Sequence, residues 1–194
     1  MNAWLLGGLV LVGLAAGITL IRVIRRRRSA LNVDGVLHIN VNCSDFDRSR
    51  AFYEQLGFKV FMEVAPEGRG KVAEAVGMAH YTVRGALMRH MDGTTLDLLE
   101  WQDPVDPERP SCGLHRLGIA RIALTTRDMD ADVLTLRNAG VEFLSEQPGA
   151  VPDGVGGETR FICFKDPDGT ILELVELGPL MGGAYRASRL LPRL

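Results

Sequence analysis

Cysteine is scarce in this sequence and poorly placed for its usual structural uses. Cys43, Cys112 and Cys163 are odd in number, and none stands in a C-x-x-C spacing. That argues against a disulfide framework and for reduced structural thiols. Acid is missing from the first 28 residues, which carry five arginines. The remainder holds 17 basic against 24 acidic residues, a balance of −7 that the overall net charge of −2 conceals. So acidic a domain is poorly suited to nucleic acid, and none is expected as a partner; nor is it suited to lying flat on anionic lipid.

Long uncharged runs are also missing, with one exception. Ala3 to Ile21 contains no charged residue and as a helix would reach roughly 28 Å, close to a bilayer's hydrocarbon thickness. Arg22 and Arg25 to Arg28 follow at once. A cleaved secretory signal places its charge before a shorter apolar run, so the order here predicts an uncleaved transmembrane anchor. The arginines should stay on the inner side, leaving the globular part in the cytoplasm of a single-pass protein. Gly13 and Gly17 give a G-x-x-x-G spacing that could pair two anchors, although so glycine-rich a run produces that spacing by chance.

The sequence repeats itself. A shift of 83 positions carries His38 onto Arg121, Asp45 onto Asp128, Asp47 onto Asp130 and Gly57 onto Gly140 without a gap. A shift of 76 carries Leu96-Asp97-Leu98-Leu99-Glu100 onto Leu172-Glu173-Leu174-Val175-Glu176. Two echoes in the same order imply one supersecondary unit written twice.

Periodicity supplies its elements. Residues 36–42 alternate apolar and polar as a strand does. Ser44 with Asp47 resembles a capping box ahead of a helix whose apolar stripe is Phe46, Phe52, Tyr53 and Leu56, ended by Gly57. A strand over 58–64, a short helical piece at 72–76 and a hairpin over 80–88 and 94–101 complete a βαβββ unit. The second copy predicts a strand at 119–125, a helix at 128–139 and strands at 141–145, 160–164 and 170–176. A Gly/Pro-rich loop over 147–158 reads as mobile or a lid. The expected layout is an anchor with its basic flank (1–28), a tether (29–35), unit one (36–101), a linker (102–117), unit two (118–177) and a basic tail (178–194).

H-x-N-V at the first strand, D-F-D-R-S-x-x-F-Y-x-x-L-G-F after it and K-D-P-D-G-T-x-L-E-L-V-E near the end resemble the vicinal oxygen chelate superfamily. Its members include glyoxalase I, methylmalonyl-CoA epimerase, extradiol dioxygenases and bleomycin-resistance proteins. The resemblance covers residues 36–177 and implies an α+β fold of two tandem βαβββ units around one cavity. The fold hosts many chemistries and some simple binders.

In metal-dependent members the ligands lie on the first and last strands of each unit. Carried over, those positions are His38, Asp97, Arg121 and Glu173. Arg121 departs from the pattern, because a guanidinium has no lone pair for a metal. The remaining set of His38, Asp97 and Glu173 would suit Mg, Mn or Fe(II) better than Zn, with Ni also within the superfamily's range. The resemblance thus supports a lyase or isomerase in which Glu173 and His38 are catalytic and a divalent metal chelates the substrate. It equally supports a metal-free binder that sequesters an anionic or aromatic small molecule on Arg121 and Asn40. An Arg121 guanidinium within hydrogen-bonding reach of Glu173 or Asp97 would favour the second. Glu100 and Glu176 read as solvated, His115 as a surface residue or a substitute ligand, and His80 and His90 as motif-free. A homodimer fits either case.

Overall fold

Val41 and Cys43 are buried while Asn40 and Asn42, which alternate with them, are exposed, as a strand with one wet face requires. In the computed structural model, which describes residues 31, 33, 35–110 and 113–190, this strand is β1 (Ile39–Cys43). It is followed by α1 (Phe46–Gln55), β2 (Lys59–Glu63), β3 (Glu67–Arg69), α2 (Lys71–Glu74), β4 (His80–Arg89) and β5 (Thr95–Asp103). Unit two contains β6 (Ile122–Thr126), α3 (Met129–Asn138), β7 (Gly149–Pro152), β8 (Glu158–Lys165) and β9 (Ile171–Glu176), and α4 (Pro179–Leu190) comes after it. The anchor expected at residues 1–28 lies outside the described residues. Among those described, no helix is long and apolar enough to cross a membrane.

The duplication is visible in the strand pairing. One sheet runs β1-β5-β4-β2, with β3 beside β4, and the other runs β6-β9-β8-β7. In each, the first strand pairs in parallel with the last. Asn40 faces Asp97 in one sheet, and the equivalent Ala123 faces Glu173 in the other.

The two units share one apolar cluster. Val41, Phe52, Tyr53, Phe58, Met88 and Leu98 are buried with Met129, Ile162, Phe164 and Leu172. Burying each such side chain contributes roughly 1.5–3 kcal/mol. The Phe52 and Phe164 rings lie 6.5 Å apart. Around that contact the turn between β8 and β9 reaches across to α1. Tyr53 Oη donates to Asp166 at 2.9 Å. Asp168 accepts from the Ser44 amide at 2.9 Å, from Ser44 Oγ at 2.5 Å and from Arg48 at 2.7 Å. Burial opposes ionisation of Asp168, but the Ser44 hydrogen bonds and the Arg48 guanidinium outweigh it and hold the carboxyl below its usual range.

Several local expectations change, and residues 119–121, expected in a strand, precede β6. Val36 and Leu37 precede β1 and are exposed. Asp45, not Ser44, caps α1 by accepting from the Arg48 amide, because Ser44 is engaged by Asp168. Residues 141–145 form no strand. Leu144 and Glu142 each make one backbone bond to β8, and Phe143 makes only an isolated bridge. The fourth strand is β7 instead, inside the segment expected to be a loop. The tail begins as the helix α4.

Candidate functional site

The four positions singled out by the repeat form two pairs, one in each unit. His38, just before β1, places Nε2 3.7 Å from Oδ2 of Asp97 on β5. The other oxygen, Oδ1, is buried and has no hydrogen-bond partner. Asn40 donates from its side-chain amide to the Asp97 backbone carbonyl at 3.0 Å. Burial pushes the Asp97 carboxyl above its ordinary range, with His38 acting against the shift.

In unit two Arg121, just before β6, places Nε 3.0 Å from Oε2 of Glu173 as an ion pair. Glu173 is 7% exposed, held there by its place on β9, the second strand of its sheet. Its Oε1 lies 3.8 Å from Cys163 Sγ on β8. Burial, followed by the Glu173 charge, pushes the Cys163 thiol up, so the sulfur keeps its proton and can donate. The Arg121 side chain remains 42% exposed. Because Glu173 is met through Nε, the two terminal nitrogens form the side of the guanidinium fork suited to a second carboxylate.

Arg121 also lines a cleft of about 890 Å³ with Asn40, Asn42, Trp101, Arg109 and Ile119. Trp101 is fixed by donating Nε1–H to Asn42 Oδ1 at 2.9 Å and by an edge contact with Tyr81 at 5.5 Å. Residues 104–110 supply one wall. Trp101 and Arg109 carry no sequence signal of a site, since neither falls in a motif. The available hint is that Trp101 alternates with Asp97 along one strand. His80 and His90 pair with nearby Asp103 and Asp92, and His115 is exposed in the linker.

Residues 35–174 match the family described as the Glyoxalase/Bleomycin resistance protein/Dioxygenase superfamily. The chain belongs to that superfamily. It is 32% identical over 140 residues to the uncharacterized protein YwkD of Bacillus subtilis (strain 168), covering 72% of this chain and 94% of YwkD. It is 31% identical over 153 residues to the uncharacterized protein YaeR of Escherichia coli (strain K12), covering 75% and 98%. A glyoxalase family protein from Bacillus cereus superposes with a TM-score of 0.65 at 18% identity, covering 76% of this chain and 97% of that one. That likeness concerns the fold alone.

Superfamily members often bind divalent metals, and the donor set decides whether this chain can. His38, Asp97 and Glu173 are divided between the two pairs. Glu173 has one oxygen on a permanent cation, which would repel a dication brought to the same carboxylate. Among the described residues no three His, Cys, Asp or Glu side chains converge as a metal site would require. The donors present do not fit a resident metal.

Proposed function

We propose that this superfamily member is a membrane-tethered small-molecule binder that takes an anionic or aromatic compound into its cleft without a divalent metal. The observation carrying the reading is the Arg121–Glu173 pair. The protein's own cation satisfies a buried carboxylate that otherwise would need a metal or a proton, and it still offers its terminal nitrogens to a ligand carboxylate. Asn40 and Asn42 supply polar contacts beside it, and Trp101 supplies an aromatic wall.

Titration with benzoate and its neutral analogue benzamide tests this. Benzoate should bind more tightly, and Arg121→Gln should reduce it to the benzamide level while Arg121→Lys retains part of the difference. Equal binding of both probes by the parent protein would overturn the anion reading.

One observation favours a metal-dependent lyase or isomerase instead, namely the unpartnered Asp97 oxygen beside His38. That enzyme would need Glu173 released from Arg121 to move a proton.

The tether rests on the uncharged run at residues 3–21 and the arginines after it, which support a single span with the globular part in the cytoplasm. Resistance of the full chain to alkaline extraction from membranes, with protease access from the cytoplasmic side only, would support it. Release by alkaline carbonate would overturn it.

A further inference from the structure

The helix α4 presents an apolar stripe that is exposed among the described residues. Leu180 and Met181 are 51% and 53% exposed. Ala184 and Ala187, on the same stripe as Leu180 by the helical period, are exposed as well. Gly182 is buried and Tyr185 half-buried, so the helix rests on the domain through a different side. Arg186 is exposed across the helix from the stripe.

The start of the helix is fixed. Asp153, at the start of the tight loop after β7, accepts from the Val155 and Gly157 amides at 3.0 and 2.9 Å and from the Leu180 amide at 3.3 Å. Those backbone bonds, Val155's first, hold the Asp153 carboxyl below its usual range. A carboxylate at a helix N-terminus sets the direction in which the helix leaves the body.

Charge identifies what covers the stripe. Residues 178–194 contain Arg186, Arg189 and Arg193 and no acid, whereas residues 29–177 hold 14 basic against 24 acidic groups. An anionic lipid surface attracts the first segment and repels the second. From this geometry and charge segregation we infer that α4 is an interfacial helix, which docks on an anionic membrane leaflet and holds the acidic body away from it. A basic helix with one apolar face lies in that plane rather than crossing it. The inference adds a second, lipid-selective contact to the tether proposed above.

Hydrogen exchange of the residue 179–190 amides in the full-length chain is the test. The chain is mixed with vesicles of phosphatidylcholine alone or with phosphatidylglycerol at about 3:1, since an arginine near an anionic surface changes partition by about fivefold. Exchange should slow by about fivefold or more on the anionic vesicles only. The effect should vanish in about 0.5 M salt, which shortens the screening length to a few ångströms. Leu180→Asp and Arg186→Glu should each abolish it while β9 exchange stays unchanged. Equal exchange on both vesicles would overturn the inference. So would slowing that rises with protein concentration in the absence of lipid, which would mean that a second copy covers the stripe. Flotation with phosphatidylcholine vesicles reports the N-terminal run alone, so failure of the tether shows there and not in α4.

Discussion

The two units use the same charges as scaffolding and different charges at the site. Asp45 and Asp128 cap equivalent helices, each accepting a backbone amide at 3.0 Å. Glu100 and Glu176, read from the sequence as solvated, accept from the first amides of α1 and α3 at 3.0 and 3.3 Å. Arg84 grips Asp47, and its counterpart Arg160 grips Asp130. Repeated features of this kind hold a helix against its own sheet. The copies part at two places. His38 and Asp97 stand 3.7 Å apart with an oxygen left over, whereas Arg121 and Glu173 form an ion pair at 3.0 Å. The β8–β9 turn carries Asp166 and Asp168, which clamp α1, while its counterpart turn has Asp92 bonded locally to the Thr94 amide. Difference between the copies therefore marks the site and the seam better than any single motif does.

The largest expected effect is at the seam. Asp168→Ala leaves the half-exposed Arg48 and the Ser44 amide without their shared acceptor and should cost about 2 kcal/mol of stability, the scale of a hydrogen bond to a charged group. Denaturant titration checks this, and Asp92→Ala in the other copy should cost much less. Because folding lowers the Asp168 pKa, its contribution is present above the ordinary carboxylate range and is lost as pH falls through the folded value. Asp168→Asn should therefore flatten the acid limb of the stability curve.

Next comes the charge at the site. Arg121→Gln should weaken benzoate about tenfold or more, the scale of one charge-assisted hydrogen bond, whereas His38→Gln should change it little. Calorimetric titration of both variants compares the two halves directly.

A smaller effect of opposite sign is expected at Asp97. Its folded pKa is raised, so its stability contribution is lost as pH rises through that value. Asp97→Asn should stabilise the protein by about 1 kcal/mol at neutral pH and by nothing once the carboxyl is protonated. Thermal melts across pH settle the sign, and a loss at neutral pH would show that the charge is needed by the fold. Least of all, Asp47→Asn and Asp130→Asn should leave the melting temperature nearly unchanged and equal, since both exposed pairs are screened by water.

Much of the fold was legible in the sequence because the repeat alone aligns equivalent positions of the two units. The offsets of 83 and 76 recur in the strand register, with Asn40 opposite Asp97 and Ala123 opposite Glu173. Local periodicity misplaced β7, since Gly149 and Pro152 read as loop residues although an edge strand tolerates both. It also missed the helical start of the tail, whose glycines weaken a helix signal. At the site, an ion pair of Arg121 with Glu173 or Asp97 was legible, and the structure places it on Glu173, the carboxylate of the same unit. The unpartnered oxygen of Asp97 could not be foreseen, because burial of one carboxylate oxygen depends on packing from several strands. Arg109 enters the cleft through the path of the linker, which no repeat constrains, and Trp101 enters from β5 without a motif to mark it.

Metal content of the full-length protein, purified without chelators, tests the central claim most directly when repeated on His38→Ala. A built-in cation at Arg121 predicts no stoichiometric divalent metal in either sample. One metal per chain in the parent protein, lost with His38, would contradict it and restore the metal-dependent enzyme.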